Sequence, residues 1–171
     1  MPAVIAYIGL GSNLDNPLHQ LEQAIKALQQ LPNTRLLSTS SCYRSAAQTV
    51  SDEETLPDYL NAVACIETGL DATGLLDALQ AIELAQGRVR NGERWQARPL
   101  DLDILLYGNQ TIDTPRLKIP HPEMTRRDFV LIPLLEIAPD IEIPGVTGID
   151  ALLARCEGYI VDKLPSTGPF A

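Results

Sequence analysis

The chain is predicted to form an α+β fold, a ferredoxin-like βαββαβ sandwich whose four-stranded antiparallel sheet carries both helices on one face. Three observations predict it. Apolar segments of strand length fall at residues 3–10, 35–43, 59–68 and 100–107. Two stretches with helical apolar spacing lie between the first and second and between the third and fourth of these. Gly, Pro and Asn clusters punctuate the joints.

Residues 3–10 are a short apolar run that stops at Gly11-Ser12-Asn13, the pattern of a buried strand. Asn16-Pro17 then predicts a helix start, with Asn as N-cap and Pro in the first turn. Leu18, Leu21, Ala24, Ile25, Leu28 and Leu31 follow at helical spacing, and Pro32-Asn33 ends the run. Residues 35–43, rich in Leu, Ser, Thr and Tyr, predict a second strand. Residues 45–57 form a polar loop longer than a hairpin needs. Residues 59–68 predict the third strand. Gly69-Leu70-Asp71 turns into a second helix, with Leu75, Leu76, Leu79 and Ile82 on one face and Gly87 just past its end. A second polar loop, 88–98, precedes the fourth strand, which Gly108-Asn109 closes. Beyond lies a proline-punctuated stretch with a short helix near 129–137 and a weaker strand or helix from Ile141 onward. The reading is one domain over residues 1–171, with a core of about 3–145 and a C-terminal extension over 146–171.

There is no run of 18 or more apolar residues and no basic segment at the start, so neither a membrane span nor a signal peptide is expected, and the cytoplasm is the expected location. Cys42, Cys65 and Cys156 are widely spaced and match neither a disulfide framework nor zinc spacing. The formal charge of −9 argues against generic nucleic-acid binding. Its distribution says more. Eight of the 13 basic residues fall between 88 and 127, giving that window about +3 against about −12 elsewhere. A cationic window in an acidic chain suits a compact polyanion; clustering on a solvated loop is the alternative.

Asp101 and Asp103 stand at i, i+2 on the fourth strand, so both point to one face, three and five residues after Arg98. Two like charges there repel unless a cation lies between them. Hard oxygen ligands beside arginine suit Mg²⁺ carrying a polyphosphate, and a solvated strand face is the bland alternative. Gly9-x-Gly11 lacks the third glycine of a dinucleotide fingerprint, and no Walker A sequence occurs, so the glycines read as a tight turn leading into the first helix. Asn61 is an unfavourable strand residue; it either reads a flat heterocycle or faces water from an edge strand. Trp95, the single tryptophan, lies in the arginine-rich loop, where it stacks on a ring or pins the loop. His121, between two prolines in the cationic stretch, either contacts a phosphate or is structural. Ser12 has no nucleophile elbow.

These segments resemble the 6-hydroxymethyl-7,8-dihydropterin pyrophosphokinases of folate biosynthesis. The resemblance runs through Gly11-Ser-Asn13, Tyr59-Leu-Asn61, residues 82–90, Glu93-Arg-Trp95, residues 98–108 and the Pro-His-Pro segment at 120–134, covering roughly residues 4–145 in order. It implies transfer of a diphosphate from ATP to the pterin hydroxymethyl group with release of AMP. Asp101 and Asp103 would hold two Mg²⁺ ions and, with Arg88 and Arg98, form the catalytic group. Gln80, Glu83, Arg90, Trp95, Arg98, Ile104, Arg116, His121 and Arg127 would bind ATP. Ser45, Tyr59, Asn61, Trp95, Asp101 and Phe129 would bind the pterin, with the rings of Tyr59 and Phe129 on its two faces. Many members carry a Thr-Pro-Pro-like run after the Tyr-Arg pair, where this chain has Ser45-Ala46-Ala47-Gln48 after Tyr43-Arg44.

Two other functions fit parts of the pattern. A polymerase-like nucleotidyltransferase also pairs Gly-Ser with Asp-x-Asp, but places them close together, and here Ser12 and Asp101 lie far apart in sequence. A nucleotide or polyphosphate sensor on the same scaffold would bind without turnover. No apolar interface stripe stands out, so a monomer is expected.

Overall fold

The computed structural model describes residues 3–13, 16–46, 58–87, 99–156 and 158–171. Its centre is a six-stranded sheet built from β1 (Val4–Ser12), β2 (Thr34–Thr39), β3 (Tyr43–Ser45), β4 (Tyr59–Thr68), β5 (Asp101–Tyr107) and β8 (Ile160–Lys163). The order is β5-β1-β4-β3-β8, with β2 paired to β4 alongside β3, and every pairing is antiparallel. A small hairpin pairs β6 (Ile112–Asp113) with β7 (Lys118–Ile119).

Helices α1 (Pro17–Gln29) and α2 (Ala72–Ala85) cover one face. Leu21, Ile25 and Leu28 of α1 and Leu75, Leu79 and Ile82 of α2 meet Ala6, Ile8, Leu10, Ala64, Ile66, Leu102 and Ile104, the alternate residues of β1, β4 and β5. Asp71 caps α2 by accepting from Gly74 N–H at 2.7 Å, and Gly87, at φ 108°, follows its C-cap. Asn16 occupies the N-cap of α1 at φ 63° and makes no side-chain cap bond; its carbonyl accepts from Gln20 N–H at 3.1 Å.

The expected second strand divides in two. Ser40 Oγ accepts from Val63 N–H at 2.9 Å, standing where a neighbouring strand's carbonyl would be, so the ladder breaks between β2 and β3. The other sheet face is partly covered by α3 (Asp128–Ile137), the short helix expected near 129–137, with α4 (Ile149–Arg155) packed outside it. Leu131 and Leu134 pack there with Val63, Leu105, Leu106 and Met124. The stretch after Ile141 supplies both α4 and an edge strand, β8, which pairs with β3. No helix among the described residues is long and apolar enough to cross a membrane.

Candidate active site

On the face shared with α3, beyond that helix, the sheet opens into a cleft of about 450 Å³. Its floor is β1. Gly11 lies between Asn61 of β4 and Asp101 of β5, and Gly9 between Val63 and Asp103. Both glycines sit inside the strand, which corrects the tight-turn reading: alternate positions on β1 carry no side chain, and that vacates the space above the sheet. A methyl at Gly11 would lie 3.3 Å from Asn61 Oδ1, and one at Gly9 3.3 Å from Leu105 Cδ2. Ser12, at the end of the same strand, is fully buried and its hydroxyl donates to the Pro99 carbonyl.

One wall is charged. Asp101 is half-buried and the Asp103 side chain is 50% exposed, both directed into the cleft by the strand alternation. Across from them stand His121 and Arg127. His121 Nε2 lies 4.0 Å from Asp103 Oδ1. Burial above all lowers the His121 pKa below its ordinary value; Arg127 lowers it too, while Asp103 and Glu123 act the other way. The ring Nδ1 accepts from Glu123 N–H at 3.2 Å, which leaves the proton on Nε2, on the side of Asp103. The backbone holds the ring in place: His121 N–H donates to Leu105 O of β5 at 3.0 Å.

The opposite wall suits a flat polar ring. Asn61 is 6% exposed on β4, a central strand, so the edge-strand alternative falls away. Its Nδ2 donates to buried Ser45 Oγ at 2.6 Å, fixing the carboxamide plane. Tyr59 and Phe129 also line the cleft. The Arg127 guanidinium carbon lies 5.7 Å from the centre of the Phe129 ring, a cation–π contact that ties the two walls together.

Four further residues singled out from sequence form a separate group behind β5, outside the cleft lining. Ile104 points to the helix side and is 3% exposed. Glu83 of α2 is buried, and its Oε2 accepts from Leu102 N–H at 3.0 Å. Arg116 donates to Gln80 Oε1 at 3.2 Å and pairs with Asp77. Arg88, Arg90, Trp95 and Arg98 lie outside the described residues. The sequence reading missed Gly9 and Gly11 as the cleft floor; two glycines at alternate positions of an apolar strand were the signal.

Asp101 and Asp103 present hard oxygen donors on one strand face. No group of three or more His, Cys, Asp or Glu that could hold a metal occurs among the described residues. A two-carboxylate set fits Mg²⁺, which binds through one or two carboxylates and completes its shell with water and substrate phosphate.

Fold and cleft define a small α+β protein with a polar ligand site on the open part of its sheet. Residues 7–139 match the family described as 7,8-dihydro-6-hydroxymethylpterin-pyrophosphokinase (HPPK), and the chain belongs to that family. It is 51% identical to the 2-amino-4-hydroxy-6-hydroxymethyldihydropteridine pyrophosphokinase of Haemophilus influenzae over 161 residues, 94% of this chain and 98% of that protein. It is 48% identical to the enzyme of the same name from Pseudomonas aeruginosa, over 93% of this chain and 96% of that one. Among solved structures, an HPPK-DHPS in complex with substrates superimposes with a TM-score of 0.70 over 90% of this chain. The identity there is 14% and this chain spans 43% of that longer chain, so the likeness is one of fold.

Proposed function

We propose that the chain transfers a diphosphate group from ATP to the hydroxymethyl oxygen of 6-hydroxymethyl-7,8-dihydropterin, a step of folate biosynthesis. The observation that carries this is the convergence, in one cleft, of an Asp-x-Asp pair with a buried carboxamide and two aromatic rings. Anion handling and heterocycle recognition lie on facing walls of a space of about 450 Å³.

In this reading the substrate hydroxyl attacks the β-phosphorus, the bond from the β-phosphorus to the α,β-bridging oxygen breaks, AMP departs and the hydroxyl proton is released. Asp101 and Asp103 would hold two Mg²⁺ ions, which would supply positive charge to the phosphate oxygens and acidify the attacking hydroxyl. Such a reaction asks the protein for placement and charge more than for covalent chemistry. His121 offers an Nε2–H donor to a phosphate oxygen, and Arg127 a positive charge. Asn61 reads the polar edge of the pterin beside Ser45 and Asp101, while Tyr59 and Phe129 take its faces. The group of Gln80, Glu83, Ile104 and Arg116 behind β5 takes the adenosine end. Arg88, Arg90 and Arg98 are assigned to the phosphates, and Trp95 to closing over ATP and pterin, on the strength of the family motif alone.

We further read the chain as a single domain acting as a monomer in the cytoplasm. Its β5-β1-β4-β2 order supports a ferredoxin-like core, to which 146–171 are an extension. A product analysis with ATP, Mg²⁺ and the dihydropterin tests the function. Pterin-dependent AMP is expected; ADP would mean single phosphoryl transfer, pyrophosphate a nucleotidyltransferase, and binding without products a sensor.

A further inference from the structure

The C-terminal stretch reaches the heterocycle wall at Tyr159 and Ile160, the latter paired with Ser45 where β8 meets β3. The Tyr159 carbonyl accepts from Ala46 N–H at 2.8 Å, directly after Ser45. The Tyr159 ring meets Phe129 edge-on, with centroids 6.2 Å apart and planes at 75°. Its own N–H, and that of Ile160, donate to Asp128 Oδ2 at 3.0 and 3.1 Å. Asp128 is 5% exposed at the start of α3, next to Phe129 in sequence. A buried carboxylate is costly unless it is bonded, so two backbone donors and the N-terminal end of α3 give this one a reason to hold the chain at 159–160. The second oxygen, Oδ1, finds no hydrogen-bond partner among the described residues, which leaves the two Oδ2 bonds as its principal anchorage.

These contacts run as a chain along the wall: Asn61 to Ser45, Ser45 through Ala46 to Tyr159, and Tyr159 to Phe129. We propose that Tyr159, seated by the Asp128 carboxylate, is a positioning residue that sets the Phe129 ring and the Ser45–Ala46 backbone for the heterocycle. The inference rests on the pterin reading above, and through it the C-terminal extension selects ligand geometry at one wall of the cleft. Of the charged wall, Asp101, Asp103 and His121 make no part of this chain of contacts, and Arg127 meets it only at the face of the Phe129 ring.

The test compares Tyr159→Ala, Tyr159→Leu and Tyr159→Phe with the wild type by titration. One titration uses 6-hydroxymethyl-7,8-dihydropterin in the presence of Mg²⁺ and a saturating non-hydrolysable ATP analogue; the other uses the analogue alone. Tyr159→Ala should weaken pterin binding about three- to tenfold, the range that an edge-to-face aromatic pair supports, with analogue affinity unchanged. Tyr159→Phe should restore it. Tyr159→Leu keeps apolar volume without a ring, should behave as the alanine variant does, and stands in for it if that variant fails to fold. Pterin affinity unaltered in the alanine and leucine variants, an equal loss for both ligands, or no restoration by phenylalanine would overturn the proposal while leaving the function intact. A wild-type protein that binds the analogue but not the pterin would overturn the function, and the positioning role with it.

Discussion

Glu136 joins the helix that carries Phe129 to the strand that carries Ser45, and its replacement gives a sharp test of how the site is held. Its carboxylate accepts from Ser41 N–H at 2.8 Å, from Ser41 Oγ at 2.7 Å and from Tyr43 Oη at 2.9 Å, and Lys163 Nζ of β8 lies 3.6 Å away. Glu136→Ala removes every acceptor and leaves Ser41 and Tyr43 buried with donors to satisfy. A bond to a charged group contributes roughly 1.5–3 kcal/mol, but part of this returns as the loosened groups find water or other partners; a loss of about 3–5 kcal/mol is expected. Glu136→Gln behaves differently. Its remaining oxygen keeps the bonds from Ser41 N–H and Tyr43, and the Ser41 hydroxyl, turning its single proton to the Ala171 carbonyl 2.8 Å away, accepts from the new amide. Only the charge is lost, for about 1 kcal/mol. Urea unfolding at pH 7 with an unchanged m-value measures both. Equal effects of the two variants, or less than about 1.5 kcal/mol for alanine, would refute the account of this junction. Acid adds a second reading. Burial pushes the Glu136 carboxyl up, but Ser41, Tyr43 and Lys163 together hold it below its ordinary value of 4.5. The unfolded chain therefore takes up this proton first. The contribution is complete above about pH 4.5 and fades as pH falls through the folded value, so Glu136→Gln should flatten the acid limb of the stability curve.

Asp101→Ala and Asp103→Ala should each abolish AMP formation while the urea midpoint stays near wild type, since neither carboxylate is fully buried; normal turnover in either would sink the metal assignment. Gly11→Ala should weaken pterin binding more than nucleotide binding, because the new methyl crowds Asn61 Oδ1 at 3.3 Å while Ser45 holds the other end of that carboxamide; unchanged pterin affinity would show that the carboxamide does not read the ligand. Asp71→Ala removes the cap of α2 and should cost about 1 kcal/mol, or roughly 2–4 °C in a melting curve, without altering the products; a larger drop would mean that Asp71 does more than cap.

The elements legible in the sequence were those with a single strong period. Both long helices lie where Leu21, Ile25 and Leu28, and Leu75, Leu79 and Ile82, repeat at helical spacing, and the Asp101–Asp103 pair shares one face because a strand allows nothing else. Three features were not legible, for physical reasons. Ser40 ends β2 through a side-chain bond to a strand far along the chain, and no local pattern announces that. Strand β8 is short and gains its pairing from β3, a tertiary context that propensity does not carry. Gly9 and Gly11 looked like a turn because glycine usually marks one; their use as an empty floor appears once β4 and β5 flank them. Asn61 shows the converse: its unsuitability for a strand was visible, and its burial on a central strand removes the solvated edge-strand alternative.

The contact between Glu83 and Leu102 has a consequence for how this protein behaves in a crowd. β5 ends the sheet order, and an end strand offers its outward amides and carbonyls to any other extended chain. Here the Leu102 amide is already taken by the Glu83 carboxylate and the Leu105 carbonyl by the His121 amide. An incoming strand would have to displace a buried charge to begin a ladder. Among the described residues, these two bonds occupy edge groups through which another extended chain would begin to pair, and so oppose strand addition there.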